Sequence, residues 1–435
     1  MTKLTYVPNY GAMSGRAQGS RPHPKPLTVP RSEHSISRSN IDPDALKVLY
    51  RLHRHGHIAY LVGGGVRDLL LGNKPKDFDI STSAHPNEIK KIFGNCRLIG
   101  RRFRLAHIYF RGGKIVEVST FRTISEFNGE DGLVTSDNTF GTPWEDAFRR
   151  DFTVNALFYN IADFSVIDYV NGLQDLKNGL IRCIGDPEVR FREDPIRMLR
   201  GVRFAALLDF DLDAKSEHYM RENMDDIWEG AVPRILEDII RMMGRGTAAR
   251  AFDRLNDLGL LSTLFPEIDQ HIRIEGAGSY KEVLSRMDKR FRSRETLEPW
   301  LIFSCLFYPY FEFIYRGSSG DDLLKLARDT ISPVCQRIQV PRRMQDIIRQ
   351  ILAAQIRLFG LRDSRFKPRT ILRKSYFNDA ITLFEITADS TAEGRELISE
   401  WKTLQGHSPS QMPTRKRNRR RRKRGPKPPA SAPAR

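Results

Sequence analysis

Apolar residues follow two different periods along the first 185 residues and a single helical period afterwards. Residues 44–53 place apolar side chains at the spacing of one helix face, and residues 58–62 form an apolar run with the length of a buried strand. Gly63-Gly64-Gly65 interrupts that run, and we predict a short helix over residues 66–71 and a second strand over residues 77–80. The front of the chain is therefore predicted to alternate strands and helices.

The pattern continues with a hairpin and then becomes helical. Residues 105–110 and 115–121 are predicted strands joined by Arg111-Gly112-Gly113, a hairpin signal. We predict a helix over residues 152–159, then two short strands bounded by Asn-Gly pairs, and almost continuous helix from Asp186 onward. The fold class is α+β. We expect a mixed head over residues 41–185, an all-helical neck over 186–265 and a helical body over 266–410, between disordered segments 1–40 and 411–435.

The formal charge of +18 lies mostly in the two end segments. Residues 415–435 contain eleven Lys/Arg and no acidic residue, and residues 1–40 contain six Lys/Arg against Glu33 alone. A basic run of this kind cannot fold alone and binds phosphate backbones without reading sequence. We interpret the tail as RNA-binding, although basic tails also bind ribosomes, anionic lipids and partner proteins. The nearly neutral remainder must contain the specific chemistry.

Cysteine spacing and hydropathy exclude other classes of protein. The four cysteines lack metal-binding spacing, which favours a reducing cytoplasm over a disulfide framework. His53, His55 and His57 do not share a helix face, so we assign no zinc site to them. The apolar residues 300–315 contain Pro309 and Glu312 and are predicted to form a buried helix and not a membrane span.

Two aspartates form the central chemical signal. Asp77 and Asp79 lie two apart in a predicted strand and would project from the same face. Two carboxylates this close repel each other unless a divalent cation lies between them, and Mg²⁺ prefers carboxylate and phosphate oxygens. The alternative is a solvated acidic pair with no ligand. Glu117, an acid inside an apolar strand, is a third candidate, with an outward-facing strand residue as the equal alternative.

A phosphate site is predicted directly before this pair. Glycines at Gly63 and Gly64 let backbone N–H groups approach phosphates at the start of a helix, whose N-terminus favours negative charge. Arg67, in the first turn, is a candidate for a bidentate phosphate contact. Gly-Gly alone is usually only a turn. The order strand, Gly-Gly, helix, strand and paired aspartates makes the functional interpretation much stronger.

Three segments resemble one enzyme family. Residues 61–68 through Asp77-Phe78-Asp79 resemble the first motif of the class II polymerase-β-type nucleotidyltransferases, which include CCA-adding tRNA enzymes and bacterial poly(A) polymerases. Residues 149–156 resemble the second motif of that family, and residues 193–200 resemble its EDxxR neck motif. The resemblance spans roughly residues 30–410 and implies template-independent addition of nucleotides to RNA 3′ ends.

The resemblance also implies roles for individual residues. Asp77 and Asp79 look like ligands of two Mg²⁺ ions, with Glu117 as a possible third acidic member, and Gly63, Gly64 and Arg67 look like contacts of the ATP triphosphate. The second motif implies that Asp151, Arg150 and Asn155 position the nucleotide. The alternative for Asp151 is a structural N-cap of the predicted helix over residues 152–159.

The neck motif implies base selection without a template. Asp194 and Arg197 lie three apart, hence on one face of a predicted helix, and together they offer an acceptor and a fork of donors to a base edge. The alternative is a simple ion pair between them, worth roughly a few tenths of a kcal/mol. Arg200 and Arg203 continue the same turn spacing toward phosphates.

The basic segments favour adenylate addition over CCA addition. Arg101, Arg102 and Arg104 resemble the strongly basic form of this segment in bacterial poly(A) polymerases, and the tail suits an enzyme that extends many RNAs. The expected partners are RNA 3′ ends, ATP and RNA-degradation machinery. The alternatives are a CCA-adding enzyme and a non-catalytic RNA-binding protein on a decayed polymerase head. The tail residues assigned to RNA binding are Arg415, Lys416, Arg417, Arg419, Arg420, Arg421, Arg422, Lys423 and Arg424.

Overall fold

A computed structural model describes residues 25–100, 104–123, 140–292, 297–318, 322–362, 367–389 and 391–406. The chain divides into two compact units, the first ending at Ala353 and the second beginning at Ala354. The first unit contains the sheet and most helices, and the second unit is helical in its described residues.

A mixed sheet organises the head. The strands described in it are β1 Leu27–Val29, β2 Ala59–Val62, β3 Asp79–Thr82, β4 Cys96–Ile99, β5 Leu105–Tyr109, β6 Ile115–Thr120, β7 Leu157–Asn160 and β8 Val166–Asp168. Their order is β1-β8-β7-β2-β3-β6-β5-β4. Neighbours run antiparallel except β3 and β6, which are parallel with Ile80 beside Val118. The residues 180–181 and 211–212 form a separate parallel pair, β9 Leu180–Ile181 and β10 Asp211–Leu212.

Short helices flank the sheet. They are α1 Pro43–Arg54, α2 Gly64–Leu70, α3 Pro86–Ile92, α4 Pro143–Phe148 and α5 Gly172–Asn178. Helix α1 begins where the Asp42 carboxylate accepts hydrogen bonds from the N–H groups of Asp44 and Ala45, and Pro43 occupies its first turn. The predicted apolar face of α1, including Val48 and Leu52, is buried. This part of the sequence prediction is confirmed.

The remainder of the first unit is helical. Its helices are α6 Pro187–Glu193, α7 Ile196–Leu208, α8 Ala214–Glu222, α9 Val232–Met243, α10 Ala248–Leu258, α11 Leu260–Leu264, α12 Pro266–Glu275, α13 Gly278–Arg292, α14 Pro299–Arg316 and α15 Leu323–Arg337. Helix α14 buries ten of its residues, as predicted for the apolar run. Among the helices described, none is both long and apolar enough to cross a membrane.

The second unit packs around a tryptophan. Its helices are the end of α16 Arg342–Phe359, α17 Pro368–Leu372, α18 Phe377–Ala388 and α19 Ala392–Gly406. Trp401 is fully buried and packs with Phe377 and Leu397. Its indole Nε1–H donates to the carbonyl oxygen of Leu358 at 3.0 Å, so the polar end of this large side chain is satisfied.

Two local predictions are wrong, and two elements were not predicted. The disorder predicted over residues 1–40 does not hold from residue 27, because β1 pairs with β8 and the His34 Nε2–H donates to the Phe164 carbonyl oxygen at 2.8 Å. The helix predicted over residues 152–159 is a 3₁₀ turn, Thr153–Asn155, followed by β7, which is held between β2 and β8. Helix α5 and strand β4 were not predicted. The α+β class and the hairpin of β5 and β6 are confirmed.

Candidate active site

Three cavities in the described part of the first unit share Asp79. The neck cavity, about 410 Å³, extends from Gly63 and Gly64 to the start of α7 at Arg197 and Arg200. The turn cavity, about 300 Å³, lies against Gly64, Gly65 and Asp77. The strand cavity, about 710 Å³, follows residues 113–117 and includes Asp77 and Glu117. The acidic residues thus lie where separate binding spaces meet.

The three carboxylates come together by two different routes. Asp79 is the first residue of β3, and the parallel pairing of Ile80 with Val118 places Asp79 next to Glu117 on β6. Asp77 precedes the strand, so the predicted strand over residues 77–80 is wrong in its start and alternation alone does not position Asp77. The turn and strand cavities nevertheless border both aspartates.

Asp79 is the most perturbed of these acids. The residue is partly exposed, but desolvation of its carboxyl group by the surrounding protein raises its pKa to about 6. The negative charges of Glu117 and Asp77 add to this shift, and Arg150 opposes it. Within the described residues, neither Asp77 nor Asp79 forms a hydrogen bond or an ion pair through its carboxylate. The acids therefore repel one another, and Arg150 opposes this repulsion without a direct ion pair to either aspartate.

The Gly63 turn brings backbone close to the acidic residues. Gly63 precedes α2 with φ of 68°, which L side chains rarely adopt. A Cβ atom there would lie 3.2 Å from Nη1 of Arg150. The backbone conformation therefore favours glycine, and a larger residue would also push the Arg150 guanidinium aside by a few tenths of an ångström. The first N–H groups of α2 lack partners within the helix and border the neck and turn cavities.

Arg67 is buried inside a polar network. Its Nη1 donates to the Asn155 side-chain oxygen at 2.6 Å, and its Nε and Nη2 donate to Asp68 at 2.9 and 2.7 Å. The guanidinium also lies over the ring of Phe204. Only 4% of Arg67 is exposed. The fork expected to contact phosphates is thus also the group that fixes Asn155.

Asp151 continues this network toward α7. Its Oδ1 accepts from the Phe152 N–H at 2.8 Å and from Asn155 Nδ2 at 3.4 Å, and its Oδ2 accepts from Arg200 Nε at 2.7 Å. Burial alone would raise the pKa of Asp151, but the charge of Arg200 and these hydrogen bonds hold it below its usual value. Asp151 is not the N-cap of a helix over residues 152–159, because that helix does not form. It joins the second motif to the neck.

Arg150 is held by Asp146, a residue that was not among the predicted site residues. Asp146, fully buried in α4, accepts from Arg150 Nη2 at 2.9 Å and from Arg149 Nε at 2.8 Å. Burial opposes ionisation of Asp146, and the two arginines hold its pKa below its usual value. Arg190 of α6 donates to the carbonyl oxygens of Arg149 and Arg150, both at 3.0 Å. The spacing of Asp146 with Arg149 and Arg150 was the available signal.

The neck motif differs from its prediction. Asp194 does not share a helix with Arg197, since α6 ends at Glu193 and α7 begins at Ile196. The predicted alternative, an Asp194–Arg197 ion pair, is also not formed. Arg234 of α9 donates to both Asp194 oxygens at 2.9 Å.

Arg197 is held by other partners. Its Nη1 donates to the carbonyl oxygen of Arg190 at 2.6 Å and to Glu193 at 3.1 Å. Asp194 and Arg197 still border the neck cavity together. An acceptor and a donor fork therefore face the same space, each fixed by a separate partner.

The predicted RNA-binding arginines are mostly not part of the described chain. Arg101, Arg102 and the whole basic run over residues 415–424 lie outside the described residues. Arg104 is described, is exposed and directly precedes β5. Their assignment to RNA stays a prediction.

Comparison with known proteins matches three segments of the chain to one family. The poly A polymerase head domain matches residues 59–182, the probable RNA and SrmB-binding site of polymerase A matches residues 209–272, and the polymerase A arginine-rich C-terminus matches residues 321–431. Together these segments cover the head, the neck and the rear of the chain.

Individual relatives agree with the family matches. Poly(A) polymerase I of Salmonella typhi is 38% identical over 415 residues, which is 90% of this chain and 88% of that protein. The CCA-adding enzyme of Lactobacillus helveticus is 41% identical over 201 residues, 46% of this chain and 49% of that enzyme. The solved CCA-adding enzyme of Bacillus stearothermophilus in complex with CTP is similar with a TM-score of 0.59 and 27% identity, covering 83% of this chain and 82% of that one.

Proposed function

The chain belongs to the poly(A) polymerase family and adds adenylates to RNA 3′ ends, and we propose that Asp77 and Asp79 form its reaction centre. The observation that supports this proposal is the position of Asp79, which borders the neck, turn and strand cavities. A nucleotide in one cavity and an acceptor in another would meet at these acids.

Adenine is expected at the neck end of the neck cavity. The adenine edge presents an amino donor and a ring-nitrogen acceptor, which match the Asp194 carboxylate and the Arg197 guanidinium. Because Arg234 and Glu193 hold these two groups from outside the cavity, their separation is set before the base binds. Base choice would then come from protein side chains without a template.

The triphosphate is expected between Gly63, Gly64 and the acidic residues. In the transfer, the RNA 3′ oxygen forms a bond to the α-phosphorus of ATP, and the bond from that phosphorus to the bridging oxygen breaks as pyrophosphate leaves. Asn155, fixed by Arg67 and Asp151, and Arg150, fixed by Asp146, would orient the nucleotide.

Asp77 and Asp79 fit the requirements of a magnesium site. Mg²⁺ binds to proteins through one or two carboxylates plus substrate phosphates and water. Desolvation and the negative charges of Glu117 and Asp77 raise the pKa of Asp79 although Arg150 opposes them, so a cation bound here would favour the ionised carboxylate. No cluster of three or more His, Cys, Asp or Glu in the described chain forms a ready-made metal cage. When bound, the metal would activate the attacking oxygen and neutralise charge on the leaving pyrophosphate. Glu117 would orient or support these ligands.

Mutation of each aspartate tests the reaction centre. Asp77→Asn and Asp79→Asn remove one negative charge each and keep the side-chain shape. Both are expected to abolish ATP-dependent extension of a labelled RNA, while RNA affinity measured by fluorescence anisotropy stays unchanged. Asp329→Asn, at a half-exposed acid of α15, is the matched control and is expected to keep full activity. Extension by either active-site variant at the control rate would contradict the assignment.

CCA addition is the second candidate, because the head and neck also resemble CCA-adding enzymes. The sequence similarity to the CCA-adding enzyme of Lactobacillus helveticus covers about half of this chain, whereas that to poly(A) polymerase I of Salmonella typhi covers nearly all of it. The arginine-rich C-terminus of the polymerase family matches as well. The rear of the chain therefore favours polyadenylation.

Partners and location extend the same proposal. The neck matches a segment described as a probable RNA and SrmB-binding site, which supports RNA binding by this part of the chain. Contact with RNA-degradation machinery stays a prediction. All four cysteines are buried free thiols, which suits a reducing cytoplasm.

A further inference from the structure

The strand cavity is a separate approach to the acidic residues. It is the largest of the three cavities described above, and it borders Asp77, Asp79 and Glu117. It includes none of the groups assigned to the nucleotide base or to the Gly63 turn, which belong to the neck cavity. A molecule in the strand cavity would therefore reach the acids by a different path from ATP.

Arginines from the neck contribute to this cavity. Arg203 of α7 and Arg241 of α9 border it, together with Arg245 just after the end of α9. Arg203 has a structural partner already, because its side chain is mostly buried and its Nη1 lies 3.3 Å from the Asp238 carboxylate. Burial lowers the pKa of Arg203 to about 10, with Asp238 opposing that shift.

The other two arginines are available to a ligand. Arg241 pairs with Glu237 one turn earlier on α9, and both side chains are about half exposed. Exposed pairs of this spacing are worth only about 0.3–0.5 kcal/mol, so a phosphate can replace Glu237 at little cost. Arg245 is exposed and, among the described residues, forms no ion pair with a carboxylate. Two exposed arginines thus border a cavity whose other charged groups include Lys76, Lys114 and the proposed catalytic acids.

The geometry of phosphoryl transfer indicates which ligand the strand cavity would bind. The attacking and leaving oxygens lie roughly in line across the reacting phosphorus, so the acceptor must approach from the side away from pyrophosphate. With ATP in the neck cavity, the strand cavity is a second space that borders Asp79 and is open to an acceptor. An RNA 3′ end carries a backbone phosphate beside its terminal nucleotide, and arginine forms strong contacts with such phosphates.

We propose that the strand cavity receives the RNA 3′ end and that Arg241 and Arg245 bind its last backbone phosphates, which places the terminal hydroxyl at Asp77 and Asp79. This inference rests on the proposed reaction centre. Arg245 also borders the turn cavity beside Gly64, so the triphosphate of ATP is the competing source of the same phosphate chemistry.

The test is the double variant Arg241→Gln, Arg245→Gln in the full chain. The control is Arg54→Gln, Lys91→Gln, which removes two exposed charges from the head at positions that border none of the three cavities. Affinity for a labelled single-stranded oligoadenylate is measured without ATP over a series of salt concentrations. The KM values for RNA and for ATP are then measured separately.

Loss of two phosphate contacts should reduce the slope of log affinity against log salt by about 1.4, since each contact to a single strand contributes about 0.7. The same loss corresponds to roughly tenfold to thirtyfold weaker RNA binding at about 0.1 M salt. The KM for RNA should rise by a similar factor, with the KM for ATP and the thermal unfolding midpoint equal to those of the control.

Other results would overturn the inference. A rise in the KM for ATP, alone or with that for RNA, would assign the arginines to the triphosphate. A salt slope and RNA KM equal to those of the control would remove them from RNA binding. Failure of the proposed reaction centre is distinguishable, because Asp77→Asn or Asp79→Asn would then extend RNA at the control rate, whereas here both stay inactive and only the arginine comparison fails.

Discussion

The ion pair between Asp151 and Arg200 gives the most quantitative prediction. The two residues are 49 positions apart and join the second motif to α7 through contacts of 2.7 Å from Nε and 2.5 Å from Nη2. Arg200→Met removes the charge and keeps most of the apolar length. The Asp151 carboxylate then keeps the Phe152 N–H and the Asn155 amide as donors but loses its cation.

The expected destabilisation follows from burial. Removing one partner of a buried ion pair costs about 3–5 kcal/mol. The Arg200 side chain is 35% exposed and Asp151 keeps two donors, so solvent screening reduces the expected loss to about 2 kcal/mol near pH 7.

The loss should depend on pH with a defined sign. In the wild type, the lowered pKa of Asp151 contributes stability above the pKa of the unfolded chain, and this contribution disappears as pH falls through the folded pKa. In the variant, burial remains without Arg200, so the pKa of Asp151 rises above its unfolded value. The variant therefore loses free energy of unfolding at pH values above the pKa of Asp151 in the unfolded chain, and not below that pKa. The difference between the proteins should be largest near pH 7 and shrink toward about pH 3.5.

Urea unfolding of both proteins at these two pH values measures the effect. Asp151→Asn and the double variant Asp151→Asn, Arg200→Met complete a cycle, and removing the carboxylate should recover most of the loss caused by Arg200→Met. Arg273→Met, at a 73% exposed arginine, is the matched control and should cost less than about 0.5 kcal/mol. A loss no greater than the control, or one that is equal at both pH values, would refute the argument.

Three further predictions concern other parts of the chain. Deletion of residues 415–435 should weaken RNA binding and flatten its salt dependence, and an unchanged salt slope would contradict the role of the tail. Gly63→Ala should lower kcat/KM for ATP, because the new methyl group would contact Arg150. Gly72 has a similar positive φ but open space around it, so Gly72→Ala should cost about 1 kcal/mol of stability without lowering activity. Equal activities of the two variants would refute the role of the close approach between Gly63 and Arg150. Arg234→Gln should release Asp194, raise the KM for ATP and weaken the preference for ATP over CTP with RNA affinity unchanged, and an unchanged preference would make the pair purely structural.

Local sequence signals predicted the elements whose partners lie nearby. The apolar spacing of α1 fixed its buried face, and Gly112-Gly113 marked the turn between β5 and β6, where both glycines have positive φ. The acidic pair was found from the order of Gly63-Gly64, a short helix and two aspartates two positions apart, although the strand begins at Asp79 and not at Asp77. In these cases residues within about twenty positions determine the structure.

The errors arise where distant residues decide the conformation. Residues 157–160 have an apolar run that suits helix or strand, and pairing with β2 and β8 makes them a strand. One error had a local signal instead. The break between α6 and α7 could have been predicted from Asp194-Pro195, because proline disfavours helix in the residue before it. The pairing of Asp194 with Arg234, 40 positions later, had no signal in a single sequence.

The most direct test of the proposed function is nucleotide use on two labelled RNAs, a generic oligomer and a tRNA lacking its CCA end. Each nucleoside triphosphate is supplied alone, and then ATP and CTP are supplied together. A poly(A) polymerase should produce long ladders from ATP alone on both RNAs. Addition confined to the tRNA, requiring CTP and stopping once the CCA end is complete, would contradict the proposed function.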